Sequence, residues 1–279
     1  MVNESLQKNV ISGKLASIEH RSGTMNSGPD YLAGRVYIEA GEDNVIPVSF
    51  FAAELKKDGT PNPVYSSIHT VINEFKSIES NGREEANDIE VGMPRLQENT
   101  FFLRDGRRIR AWEFQSPFFN RKTGVEPKAE FTVVGEIVRT EDEIINDVPT
   151  GNMIVTLLIV TYGSAANMVD FAVEGEKAVN YVKANFVPGM QVKVSGDIMV
   201  VEKIQEKTTE AAFGDAIVEQ IRLTERKLLI QSSTAPVESP ITEEQRTTML
   251  AERESNLAQS EERAKQKNQN TQKSADFSL

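Results

Sequence analysis

Between Arg95 and Lys122 the chain carries seven basic side chains, Arg95, Arg104, Arg107, Arg108, Arg110, Arg121 and Lys122, against three acidic ones, Glu98, Asp105 and Glu113. Interleaved with them are Phe101, Phe102, Trp112, Phe114, Phe118 and Phe119, including the sole tryptophan of the protein. Guanidiniums and flat rings together suit an anionic ligand with exposed bases. A base stacked on a ring is worth ~1–3 kcal/mol, and arginine meets both phosphates and base faces. Asp105-Gly106 predicts a tight turn, so its flanks should pair as antiparallel strands. Residues two apart share a face, which sets Arg108, Arg110, Trp112 and Phe114 on one side and Ile109 and Ala111 on the other. The expectation is that Ile109 and Ala111 fill a core and that the ladder of arginines and rings lies outside.

The predicted contacts to single-stranded DNA are therefore Arg108, Arg110, Trp112, Phe114, Arg104, Arg107, Phe102, Phe118, Phe119, Arg121 and Lys122. Arg35 and Tyr37, on the wet parity of an earlier strand, extend the platform. His20 and Arg21 are weaker candidates, as are Arg222, Arg226 and Lys227 near the end of the second half. The opposing reading makes the aromatics core and the arginines a solvated edge. It bears hardest on Phe118 and Phe119, because adjacent rings on a strand face opposite ways and one of them is buried.

Other chemistries have little to stand on. The chain has no cysteine and two histidines, His20 and His69, far apart in sequence, so neither a thiolate site nor a histidine zinc site is expected. Glu141, Asp142 and Glu143 read as an exposed turn. There is no Gly-rich phosphate loop and no nucleophile, base and acid in a recognisable order, so no catalytic residue, cofactor or metal is predicted. A net charge of -11 argues against a polyanionic partner until its distribution is considered. From Ala129 to Glu202 ten or more acidic residues face only Arg139, Lys177, Lys183 and Lys193, whereas Arg95 to Lys122 is basic. The acidic half is expected to pack, self-associate or recruit partner proteins.

The elements that would position these residues are short strands. Val10 to His20, Tyr31 to Ala40 and Asn44 to Ala52 read as strands, the second with Val36 and Ile38 alternating against Arg35, Tyr37 and Glu39. Pro63 opens a helix with Val64, Ile68, Val71, Ile72 and Phe75 on one stripe. Strands resume at Ile89 to Met93 and Thr100 to Phe119. Three strands, a helix and two strands is the order of an oligonucleotide-binding (OB) barrel.

The order recurs after a short linker, with strands at Phe131 to Thr140, Asn152 to Tyr162 and Met168 to Val173, a helix from Gly175 to Asn185, and two closing strands. Both parities of Met153 to Tyr162 are largely apolar, so that strand should be covered on both faces. The fold class is mainly β: two five-stranded OB-like barrels, each with a helix between its third and fourth strands, plus a disordered or partly helical tail. The predicted divisions are 1–122, a linker at 123–128, a second barrel at 129–232 and a flexible polar tail at 233–279. Within the tail, Glu243 to Lys267 favours helix, but Met249, Leu250 and Leu257 are too few to hold it against a core. No apolar run approaches a bilayer span and no secretory leader is evident, so a cytoplasmic protein without membrane contact is expected.

The LQENTFF stretch, the strand RRIRAWEFQSPFFNR and the two OB-like halves together resemble the single-stranded DNA-binding proteins of bacteriophages of Gram-positive hosts, over roughly Val10 to Ser232. The resemblance implies coating of DNA exposed during phage replication, repair or recombination in the host cytoplasm. It also implies replication or recombination proteins as partners of the second half or tail, and self-association. The ending SADFSL departs from the acidic tip closing on Pro-Phe of bacterial single-stranded DNA-binding proteins. The rival reading is a virion or adaptor protein that uses OB barrels to hold other proteins.

Overall fold

The computed structural model describes residues 2–103, 106–209 and 217–276, with side chains described outside 203–223 and 267–276. Strands β1 (Val10–Thr24), β2 (Asp30–Glu39) and β3 (Val45–Ala53) form an antiparallel meander. Helix α1 (Pro63–Glu74) follows. It starts where Asn62 accepts a hydrogen bond from the Val64 amide and Pro63 supplies a preset φ. It buries Ile68 and Val71 against the barrel. A single turn, α2 (Ile78–Asn81), leads to β4 (Asp88–Gly92), β5 (Arg95–Phe102), β6 (Arg108–Gln115) and β7 (Phe118–Lys122).

These last four are two long strands, each broken once. Met93-Pro94 interrupts one and Ser116-Pro117 the other, since proline cannot donate to a ladder. The Ser116 hydroxyl donates to the Gly92 carbonyl and ties the two breaks together. On the near side β4 pairs with β1 and β7, while β6 runs parallel to β3 at Val48 and Phe114, which closes the barrel. On the far side β5 and β6 continue as a hairpin that projects beyond it.

The second barrel repeats the plan with β8 (Lys128–Ile145), β9 (Val148–Thr161), β10 (Ala165–Val173), helix α3 (Glu176–Asn185), β11 (Met190–Thr209) and β12 (Ile217–Ser233). It closes through β11 pairing with β8 and through a parallel contact of Ala172 with Leu229. The expected architecture of two five-stranded barrels, each with a helix between its third and fourth strands, is what the chain forms. Pairing of Val10, Ile11 and Ser12 with Glu130, Ala129 and Lys128 joins the barrels edge to edge, and one hydrophobic cluster runs through both.

A two-residue strand, β13 (Val237–Glu238), pairs with β11 and precedes the C-terminal helix α4 (Glu243–Asp276). This helix does rest against the body, contrary to the expectation from its few apolar residues. Met249 and the preceding Ile241 are buried with Leu158 and Val160, and two arginines do the rest. Arg246 pairs with Glu136, which is fully buried, and Arg253 makes two hydrogen bonds of 2.8 and 2.6 Å to Glu98 on β5. Ion pairs supply the anchoring that a count of apolar residues misses. Among the described residues no helix is long and apolar enough to cross a membrane.

Candidate nucleic-acid interface

Strand β3 and the later part of β2 alternate buried with outward side chains, and together with the exposed stretch 19–22 of β1 the outward ones form a surface of their own. Register places Glu19 and Arg21 beside Arg35 and Ala33, Arg35 beside Ser49, and Tyr37 beside Pro47. Tyr31 and Phe51 stack at 5.7 Å with their planes 24° apart, and Phe51 is 49% exposed. Tyr31 is half-buried, so the exposed outer ring of the pair, Phe51, is the platform a base could stack on. Beside it runs a groove of about 510 Å³ lined by His20, Arg21, Arg35, Ser49, Phe51 and Glu113. It is continuous, through Arg35, Ser49, Asn99 and Glu113, with a cleft of about 390 Å³ that also reaches Tyr37 and, from the second barrel, Arg226.

The charges in this surface are mixed and mostly assigned. Glu113 accepts hydrogen bonds from Ser49, Gln97 and Asn99. Glu19 accepts from the Tyr37 hydroxyl at 2.8 Å; burial first, and then this bond, raises the Tyr37 pKa above its ordinary value. Arg226 donates to the Trp112 carbonyl at 2.9 Å and lies 4.5 Å from the centre of its ring. Desolvation, followed by the charge of Arg35, lowers the Arg226 pKa from its ordinary value. Arg35 and Arg226 form no ion pair among the described residues.

The expected ladder on β6 has the right grouping and the wrong direction. Trp112 and Phe114 are 7% and 0% exposed and sit in the core, packed edge to face at 5.7 Å. The opposite parity carries Glu113 to the outer surface. Burying an indole and a phenyl ring is worth several kcal/mol, far more than burying Ile109 and Ala111, and that difference sets the orientation. Arg108 and Arg110 share the face of Trp112 but lie farther out on the hairpin, where carboxylates of the second barrel and α4 pair with them. Arg110 pairs with Asp170 of β10, and Arg108 meets Glu254 of α4 at 3.2 and 3.3 Å.

The remaining predicted residues scatter. Phe119 is buried edge-on to Phe50, while Phe118, its neighbour, is exposed. Arg121 lies over the ring of Phe75 at the end of α1, 4.7 Å from its centre, and Lys122 is 3.8 Å from Glu90; neither lines the groove. Phe102 is half-buried and Arg107 exposed near the hairpin tip, and Arg104 lies outside the described residues. Of the predicted set only Arg35 and Tyr37 line the groove, joined by the weaker candidates His20, Arg21 and Arg226. The Tyr31 and Phe51 stack was missed, although Tyr31 shares the parity of Arg35 and Tyr37, and Phe50-Phe51 must place one ring outside. Among the described residues no group of three or more His, Asp and Glu is placed to hold a metal ion.

Among solved structures the chain is similar to the wild-type single-stranded DNA binding protein from Thermus aquaticus. The two share 12% identity over 86% of this chain and 97% of that one, with a TM-score of 0.50. A deletion mutant of the same protein aligns at 13% identity over 86% and 98%, with a TM-score of 0.47. At such identity the likeness is one of fold. No curated protein matches the sequence. The model of the YorF family matches residues 7–269, and the chain belongs to that family.

Proposed function

We propose that this chain is a non-catalytic protein that binds single-stranded DNA along the outer face of its first barrel, with bases on Tyr31 and Phe51 and phosphates on Arg21 and Arg35. The observation that carries the reading is the stack of half-buried Tyr31 under exposed Phe51, at the edge of a groove holding Arg21 and Arg35. A neighbour in fold that is itself a single-stranded DNA binding protein supports it. The track then passes the hairpin of β5 and β6, whose exposed Phe101 and Arg107 extend it, and ends at Arg226. The groove's side chains stack and pair charges, which is the chemistry of a binder. Coating of DNA exposed during phage replication, repair or recombination is the role such a surface would serve.

The test is the affinity of the full chain for labelled oligo(dT) across a salt series. Affinity should fall steeply with salt, with a slope near 0.7 per phosphate contact on a single strand. Phe51→Ala should weaken binding about five- to a hundredfold, and Arg35→Ala should also flatten the salt slope. Binding unchanged in both variants would overturn the reading. The capture of Arg108 and Arg110 by the protein's own carboxylates favours a second reading, an adaptor that holds other proteins. It predicts no retention of oligo(dT) at low salt.

A further inference from the structure

Strand β9 carries an exposed feature at each of its ends. At its start, Ile144, Ile145 and Val148 surround a two-residue turn and are 62%, 55% and 63% exposed. Asn146 and Asp147 both take left-handed φ values, 52° and 63°, the geometry of the tightest hairpin turns, so the knob is stiff. Of the carboxylates around it, Glu141 pairs with Arg139 and Asp142 with Lys183. Glu143 is bonded only to Thr150 and Asn152, and Asp147 forms no ion pair among the described residues. The knob is apolar and acidic.

At the other end of β9, Val160 and Thr161 border a groove of about 370 Å³ shared with Glu4, Gln7, Lys8, Asn9, Met93 and Arg95. Met93 is 70% exposed and held at φ 48°, a backbone region few non-glycine residues adopt. Tyr162, next to the groove, is 78% exposed. Lys8 and Arg95 form no ion pair among the described residues and outnumber Glu4. The Asn9 amide oxygen is the one buried side-chain polar atom without a hydrogen-bond partner among the described residues. The groove is lined largely by polar side chains, carries a small excess of positive charge, and exposes Met93 and Tyr162 at its rim.

We infer that the acidic knob at Ile144, Ile145 and Val148 of one molecule docks in the basic groove at Lys8, Met93 and Arg95 of a second copy. Both surfaces expose large apolar side chains, Ile144, Ile145 and Val148 on one and Met93 and Tyr162 on the other, and they are opposite in charge, the combination that favours and orients association. They cannot meet within one chain, because about 40 Å of strand separates them. Each copy offers one knob and one groove, so the contact is heterologous and continues head to tail into a ring or filament. If the chain coats single-stranded DNA, this contact makes coating cooperative; that consequence rests on the DNA reading, whereas the association does not.

The experiment is sedimentation of the full chain without DNA, at low and high salt, in wild type, Ile145→Lys (knob) and Arg95→Glu (groove). Thermal melts check that each variant folds, and Met93→Gly, which suits the left-handed backbone, is a second groove variant. Wild type should pass dimer mass as concentration rises toward about 100 µM, and each variant should associate at least about tenfold more weakly. An equimolar mixture of Ile145→Lys and Arg95→Glu has one intact knob and one intact groove, so it should form dimers and nothing larger. The inference is overturned if wild type stays monomeric, if folded variants associate like wild type, or if the mixture does not recover dimers. Failure of oligo(dT) binding alone would leave it standing.

Discussion

In the first barrel the outer face of β2 presents Tyr31, Arg35 and Tyr37 beside Phe51 of β3, whereas in the second barrel the equivalent strand, β9, is buried on both faces over residues 155–160. Its inward residues Val155, Leu157 and Ile159 join the main core. Its outward residues Leu158 and Val160 lie under Ile241 and Met249, and Thr156 donates to Asp170, which holds Arg110 of the first barrel's hairpin. The same fold thus has one face open and the matching face closed by the other barrel's hairpin and by α4. Arginines on a strand mark a binding surface only where the protein has not already supplied their anions, and here Arg108 and Arg110 are supplied.

The largest expected effect comes from breaking the closed side. Arg253→Ala leaves Glu98 buried without its cation and should cost about 3–5 kcal/mol, measured by denaturant unfolding, with α4 becoming sensitive to protease. Glu98 also sets a pH dependence. Burial pushes its pKa up, but hydrogen bonds from Arg253, Thr100 and the Met168 amide outweigh that and hold it below its ordinary value of 4.5. Its contribution is therefore complete above pH 4.5 and is lost as pH falls through the lower, folded-state value. Acid unfolding should protonate Glu98 and release α4 together, and Glu98→Gln should remove this part of the pH dependence.

On the open side, Tyr31→Ala and Phe51→Ala should each weaken oligo(dT) binding by about 1–3 kcal/mol with little loss of stability, as titration of the labelled oligonucleotide would show. At the seam, Arg226→Ala removes the cation from the Trp112 ring and should cost about 1–2 kcal/mol. Because Trp112 is the sole tryptophan, its emission should shift to the red as water reaches the ring. The smallest effect belongs to Arg108→Ala. Its exposed pair with Glu254 is worth at most about 1 kcal/mol of stability, and oligo(dT) affinity should change less than about threefold.

The fold was legible where periodicity speaks plainly. Val36 and Ile38 against Arg35 and Tyr37 gave β2 its two faces, Pro63 and the Ile68 stripe gave α1, and the two apolar parities of Met153 to Tyr162 foretold that β9 is covered on both sides. The site was legible only in part, because alternation says which residues share a face and not which way that face points. Arg108, Arg110, Trp112 and Phe114 do share one, but the two rings drew it inward, and the partners waiting there, Asp170 and Glu254, lie far away in sequence. The anchoring of α4 was hidden for the same reason: Arg246 and Arg253 look solvated until Glu136 and Glu98 are brought beneath them.

Ultraviolet cross-linking of the full chain to oligo(dT), with the linked peptides mapped by mass spectrometry, addresses the open face directly. The account predicts adducts at Tyr31, Tyr37 and Phe51, reduced by salt and by Arg35→Ala. Adducts confined to β9, β10 or α4, or none within residues 17–53 while the oligonucleotide is bound, would contradict it.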